Sequence, residues 1–244
     1  MAALILFGGG GDLALRMLLP SLYFLDHDGL LPDGLKIIAA ARTEETTGAY
    51  LDRVRAAVQP RAEADGAWSE AGWRRLTERL EYMAVDATDA ESLKPLKARC
   101  GEGSITAFLA VSPSLYGRIV TAMKTAGLAG PDDRIVLEKP FGSDQRSARE
   151  LNALLGRIAG EEDVFRVDHF LRESMVSGLL TLRTANRVLE RVWSAADVEH
   201  VDIVADESLA LEGRAGFYDG TGALEDMLQS HLLQVLAMVA LEPP

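Results

Sequence analysis

Two carboxylate–histidine pairs are the groups in this chain best suited to moving a proton. Asp168 and His169 are adjacent, directly after the strand-like run Phe165-Arg166-Val167, and Asp226 shares a helical segment with His231 far downstream. Hydride leaves a carbinol carbon only as electron density builds on its oxygen, so a base must take the hydroxyl proton. A histidine does this near neutral pH, and a carboxylate beside it fixes the tautomer and stabilises the imidazolium. A second histidine then remains to hold an anionic group.

A hydride needs an acceptor, and the N-terminal segment reads as a dinucleotide cradle. Gly9-x-Gly11-x-x-Ala14 lies between an apolar run, Ala3–Phe7, and a segment of helical periodicity. Glycines there permit a tight turn and close approach of the backbone to a pyrophosphate, whose charge sits at the helix N-terminus. Gly8, Gly9, Gly11, Asp12 and Leu13 are the expected cofactor-binding positions of this loop. The residue ending the second strand selects the nucleotide, because an acid binds a ribose 2′-hydroxyl and a cation accepts a 2′-phosphate. Arg42 stands there, followed by Thr43, Glu44 and Glu45. The guanidinium favours NADP over NAD, and the two glutamates would oppose that choice if they turned inward.

The elements that must position these groups alternate regularly. Strands are expected over Ala3–Phe7 and near 35–41, 80–85 and 105–111, then at Arg134–Glu138 and Val164–Val167. Helices are expected over 12–25, kinked or split at Pro20, and over 44–58, starting at Thr43. Further helices fall near 68–79, 90–99, 113–126 and 143–159. This alternation predicts a parallel, doubly wound sheet. After residue 167 the pattern changes to a long helix over 173–192, a half-buried strand over 198–207 and a last helix over 223–241. The expected fold class is therefore α/β: an N-terminal Rossmann-like doubly wound parallel sheet, residues 1–167, followed by an incomplete α+β substrate domain, residues 168–244.

Composition narrows the function. The 244 residues are 48% hydrophobic, enough for a substantial core, with no segment apolar enough over its length to span a membrane. The formal charge of −12 disfavours nucleic acid as a partner but not a small anionic substrate in a locally basic pocket. The single cysteine, Cys100, excludes an internal disulfide framework and fits a reducing compartment, so a cytoplasmic protein without a cleaved leader is expected. No metal is called for.

Five spaced motifs carry a family resemblance. They are Gly8-x-x-Gly11-Asp12-Leu13-Ala14, Glu138-Lys139-Pro140-Phe141-Gly142, Arg166-Val167-Asp168-His169-Phe170-Leu171, the stretch from Glu212 to Asp219, and that from Asp226 to Gln234. In this order they resemble the glucose-6-phosphate dehydrogenases, from residue 3 to the last. The resemblance implies NADP as cofactor and oxidation of glucose 6-phosphate at C1 to the lactone. It implies that His231 is the general base and Asp168 the carboxylate orienting it. It further implies that His169 binds the sugar phosphate, that Lys139 contacts substrate, and that Pro140 lies next to the nicotinamide. Asp226 and Glu207 would approach the sugar hydroxyls, and Arg42 would hold the NADP phosphate.

The chain departs from the family at two places in these motifs. Where the family reads His-Tyr-Leu-Gly-Lys-Glu, this chain has His169-Phe170-Leu171-Arg172-Glu173, losing a tyrosine hydroxyl and one residue, with Arg172 as the substitute phosphate ligand. Leu15 and Met17 stand where basic residues are common. The resembled proteins are also longer, their remainder supplying most of an antiparallel sheet and a dimer interface. A homo-oligomer or a partner chain completing the sheet is accordingly expected. Two alternatives stay open: a truncated, non-catalytic NADP-binding module that needs a partner chain, and another two-domain sugar dehydrogenase.

Overall fold

The structure is a computed structural model that describes residues 2–168, 170–172, 174–206, 222 and 224–242. The chain separates into two compact units, Met1–Val167 and Asp168–Pro244.

Unit 1 is built on short apolar runs that end at glycine, proline or charged residues. They form β1 (Ala3–Phe7), β2 (Lys36–Ala41), β3 (Leu80–Ala84), β4 (Ile105–Leu109), β5 (Arg134–Glu138) and β6 (Val164–Val167). All pair in parallel, in the order β3-β2-β1-β4-β5-β6. The chain leaves β1 toward β2 and later returns to its other side as β4. A crevice therefore opens beyond the carboxyl ends of β1 and β4, where doubly wound sheets take ligands.

The side-chain period of two sends alternate residues to opposite faces. Ala3, Ile5 and Phe7 of β1 pack on one face with Leu93, Leu96, Tyr116, Ile119 and Met123. Those residues come from α4 (Ala90–Cys100) and α5 (Tyr116–Ala126), and Leu155 joins them from α6 (Gln145–Leu155). On the opposite face Leu6 packs with Leu19, Tyr23, Tyr50, Val54, Trp73 and Leu76. These belong to α1 (Leu19–His27), α2 (Thr47–Ala64) and α3 (Glu70–Arg79). Both faces are covered, as an all-parallel sheet requires.

One local expectation for unit 1 is corrected. α2 starts after Thr46 rather than at Thr43: the Thr46 hydroxyl accepts the Ala49 amide at 3.2 Å. Thr43 instead stays in the loop, its carbonyl taken by the Tyr82 hydroxyl at 2.5 Å. Of the kink or split expected at Pro20, the structure shows a division of the helical segment just before it. A π-helical stretch, Ala14–Leu18, passes into α1, and Pro20 sits in the first turn of α1, where a missing N–H is tolerated.

Among its described residues unit 2 is helical: α7 (Ser174–Thr184), α8 (Arg187–Val192), a π-helical stretch Leu224–Leu232 and α9 (Leu233–Ala240). The single helix expected over 173–192 is broken, because Asn186 caps a new one, accepting the Val188 and Leu189 amides at 3.1 and 3.2 Å. The half-buried strand expected over 198–207 is also corrected. Residues 198–206 adopt no regular structure, and Val198, Val201 and Val204 are exposed. A strand exists only against a neighbour, and none of the described residues pairs with this segment. Residue 207 lies outside the described residues.

Arg183 ties α7 to α9. The residue is 6% exposed, and its guanidinium donates to the carbonyls of Met238 at 2.5 Å and Leu241 at 2.7 Å, two of the orphan acceptors at a helix C-terminus. The Trp193 indole adds a bond to the Val239 carbonyl at 2.9 Å and stacks under the same guanidinium.

Candidate functional site

The glycine loop sits at the carboxyl end of β1, over the crevice of unit 1. Gly8 has φ +81°, and a Cβ on it would lie 2.2 Å from the Ala110 carbonyl oxygen. A Cβ on Gly9 would lie 2.7 Å from the Ala39 methyl and 2.9 Å from its Cα. Neither position accepts a side chain, so the loop lies flat on the strand ends as a pyrophosphate cradle must. The Gly8 amide donates to the Ala40 carbonyl at 2.9 Å and the Gly11 amide closes a turn onto the Gly8 carbonyl at 2.8 Å. Gly11 and Asp12 are exposed at the rim, Leu13 is partly buried, and Asp12 pairs with Arg16 at 3.6 Å. This backbone fits a dinucleotide.

α2 holds the loop from beneath, which sequence reasoning missed. The Tyr50 hydroxyl donates to the Gly9 carbonyl at 2.7 Å, and the Arg53 guanidinium donates to the Gly10 carbonyl at 2.9 Å. Burial raises the Tyr50 hydroxyl well above its ordinary range, so it stays a donor at any working pH. Tyr50 also packs against Tyr82, ring centroids 4.6 Å apart. No sequence spacing announces these contacts, because they depend on how α2 lies across the sheet.

Arg42 is exposed immediately after β2, and its guanidinium donates no hydrogen bond among the described residues. Its charge reaches Asp86, whose carboxyl is held below its usual range first by the Thr88 amide and hydroxyl, then by Arg118 and Arg42. Of the two glutamates beside it, Glu44 is exposed, whereas Glu45 turns away into an ion pair with Arg53 at 2.7 Å. Lys139 and Pro140 follow β5, the Lys139-Pro140 peptide being cis. The buried Tyr116 hydroxyl, pushed up to about 12 by burial, donates to the Glu138 carbonyl at 2.8 Å and fixes the strand end from which they emerge.

Unit 2 brings Asp168 and His231 together. The Nδ1 of His231 lies 3.9 Å from Oδ1 of Asp168, both side chains being about nine-tenths buried. The same Asp168 oxygen accepts the Phe170 amide at 3.1 Å, a turn that fixes the carboxylate. Phe170 lies against the imidazole, ring centroids 4.6 Å apart at 33°. His231 belongs to the π-helical stretch Leu224–Leu232, and such stretches recur at functional sites. Asp226 lies on that stretch and Arg172 in the turn Phe170–Arg172, but both side chains, like His169 and Glu207, are outside the described residues. Among the described residues no group of three or more His, Cys, Asp or Glu could hold a metal ion, and no helix is long and apolar enough to cross a membrane.

Arg166, the first residue of its motif, is structural. It donates to Asn152 at 2.9 Å and to Glu161 at 2.7 Å, and this bond holds the Glu161 carboxyl below its usual range.

Comparison with known proteins agrees along the whole chain. Residues 5–178 match the family described as "Glucose-6-phosphate dehydrogenase, NAD binding domain", and residues 180–244 match "Glucose-6-phosphate dehydrogenase, C-terminal domain". The chain is 42% identical over 246 residues to the glucose-6-phosphate 1-dehydrogenase of Zymomonas mobilis, covering 100% of this chain and 50% of that protein. It is 40% identical over 247 residues to that of Mycolicibacterium smegmatis, covering 98% and 50%. The crystal structure of the Mycobacterium avium glucose-6-phosphate 1-dehydrogenase superposes with a TM-score of 0.86 at 38% identity, covering 100% of this chain and 53% of that one. A glucose-6-phosphate dehydrogenase in complex with glucose 6-phosphate also gives 0.86, at 30% identity, covering 100% and 52%. The chain thus spans about half the length of the curated relatives it matches. With a glycine cradle at the switch point of its sheet and both matched domains in sequence, the chain belongs to the glucose-6-phosphate dehydrogenase family.

Proposed function

We propose that the chain carries the cofactor site and the acid–base pair for NADP-dependent oxidation of D-glucose 6-phosphate. The product is 6-phospho-D-glucono-1,5-lactone, and the reaction opens the oxidative pentose phosphate pathway. The observation that carries this reading is the side-chain-free glycine loop beside an exposed Arg42. Gly8, Gly9, Gly11, Asp12 and Leu13 would hold the pyrophosphate, Arg42 the 2′-phosphate, and Lys139 and Pro140 the nicotinamide end. NADP, when bound, supplies the hydride acceptor.

The protein's own residues supply the proton chemistry. Nδ1 of His231 faces Asp168, and Nε2 is assigned to take the C1 hydroxyl proton. Asp168 stabilises the imidazolium that results, and the C1–H electron pair leaves as C1 becomes the lactone carbonyl. Lys139, His169 and Arg172 are assigned to binding the sugar phosphate, and Glu207 and Asp226 to its hydroxyls, on the family resemblance. The buried free thiol of Cys100 suits a cytoplasmic setting.

A second reading is favoured by the exposed valines of residues 198–206. In it the chain is an NADP-binding module that turns over only when a second copy or a partner chain covers that segment. The two readings separate when the folded chain is mixed with glucose 6-phosphate and NADP and the absorbance of reduced nicotinamide is followed. Turnover with glucose 6-phosphate and none with glucose supports the first. Calorimetric NADP binding without turnover supports the second, and absence of NADP binding rejects both.

A further inference from the structure

We infer that Arg53 is a positioning residue that sets the preference for NADP over NAD, by withdrawing Glu45 from the 2′-phosphate site and tying it to the glycine loop. The inference rests on the NADP reading above and adds to it a determinant outside the loop and outside Arg42.

The physical problem is set by the sequence after β2. An acid near the end of this strand is the feature that selects a ribose 2′-hydroxyl and repels a 2′-phosphate. This chain places two acids, Glu44 and Glu45, within three residues of Arg42. A free carboxylate there would cancel the field that Arg42 offers to a phosphate carrying nearly two negative charges.

The structure resolves the conflict at Glu45. Its side chain is only 12% exposed, and its oxygen lies 2.7 Å from one terminal nitrogen of Arg53. The other terminal nitrogen of the same guanidinium donates to the Gly10 carbonyl at 2.9 Å. One planar fork thus spans two loops, the acid-bearing loop after β2 and the pyrophosphate loop after β1. Only arginine presents two donors in this fixed geometry. Tyr82 secures the acid-bearing loop independently, its hydroxyl on the Thr43 carbonyl. Burial and then the Glu45 charge raise the Tyr82 hydroxyl. Arg42 is left exposed at the strand end, and of the two acids only Glu44 stays exposed with it.

Calorimetry on the full 244-residue chain measures the ratio of NAD to NADP dissociation constants in the wild type, Arg53→Met, Glu45→Gln and the double variant. The expected wild type prefers NADP. Arg53→Met lowers the ratio about tenfold by releasing an uncompensated charge. Glu45→Gln alone keeps or raises the ratio, and Arg53→Met/Glu45→Gln restores it to the wild-type value. If Arg53 only shapes the loop, both nucleotides weaken together in the single and double variants at an unchanged ratio, which overturns the inference and leaves the NADP reading standing. A wild type that binds NAD as tightly as NADP overturns the NADP reading itself, and the inference with it. Should circular dichroism show that Arg53→Met does not fold, Arg53→Lys replaces it. Lysine reaches the acid or the carbonyl but not both, so a partial fall in ratio, reversed by Glu45→Gln, is expected, and an equal ratio in the two lysine variants overturns the inference.

Discussion

The Oδ1 of Asp168 lies between two nitrogens, 3.1 Å from the amide of Phe170 and 3.9 Å from Nδ1 of His231. The backbone bond fixes the carboxylate, and the imidazole stands roughly 1 Å beyond hydrogen-bond reach of it. Catalytic hydrogen bonds are commonly long before substrate arrives and tighten in the complex. Asp168→Asn keeps an oxygen for the Phe170 amide but removes the charge facing the imidazole. Turnover of glucose 6-phosphate is expected to fall by about 10²–10⁴-fold with NADP affinity unchanged, measured by steady-state kinetics and calorimetry. A variant as active as the wild type would assign Asp168 to the turn alone.

The Tyr50 hydroxyl is a buried donor whose partner, the Gly9 carbonyl, belongs to the cradle. Tyr50→Phe leaves that carbonyl unsatisfied, at a cost of about 1–3 kcal/mol. Chemical denaturation should show this loss, and calorimetry should show weaker binding of both NADP and NAD. Arg53→Met, in contrast, should change their ratio.

Cys100 is 2% exposed, and burial pushes its thiol up to about 11. The group stays protonated below that value, so its thiolate is scarce at pH 7 to 9. Iodoacetamide should label the native chain at pH 8 far more slowly than the chain unfolded in guanidinium. Equal rates would show that α4 does not enclose the thiol.

Arg183 is a cation buried against the last helix, and its two carbonyl bonds are each worth about 1.5–3 kcal/mol. Arg183→Met should destabilise unit 2 by a few kcal/mol. Hydrogen exchange would show this as faster amide exchange across α7 and α9, with the amides of β1 and β4 unchanged.

The limits of β1, β5 and β6 were legible because each apolar run is cut off sharply, by Gly8, Lys139-Pro140 and Asp168. The cradle was legible for the same local reason: glycine spacing between strand and helix is a backbone property. Contacts that depend on tertiary register were not. Arg53, Tyr50 and Arg183 read as ordinary members of polar or mixed helices, and only packing reveals what they hold. Residues 198–207 show the reverse failure. Their alternation of apolar and polar residues satisfies a strand pattern, but residues 198–206 lack the neighbour that would make them one. The approach of Asp168 to His231 came from the motifs, since 62 residues lie between the pair and no spacing rule joins them.

His231→Ala removes the base on which the proposed oxidation depends. NADP dissociation constants are measured by calorimetry and turnover of glucose 6-phosphate by the absorbance of reduced nicotinamide, in the wild type and the variant. The wild type is expected to reduce NADP, turnover in His231→Ala to fall by about 10²–10⁴-fold, and its NADP affinity to stay unchanged. A His231→Ala chain that turns over as fast as the wild type would contradict the proposed function, as would a wild type that binds NADP and glucose 6-phosphate and never reduces the cofactor.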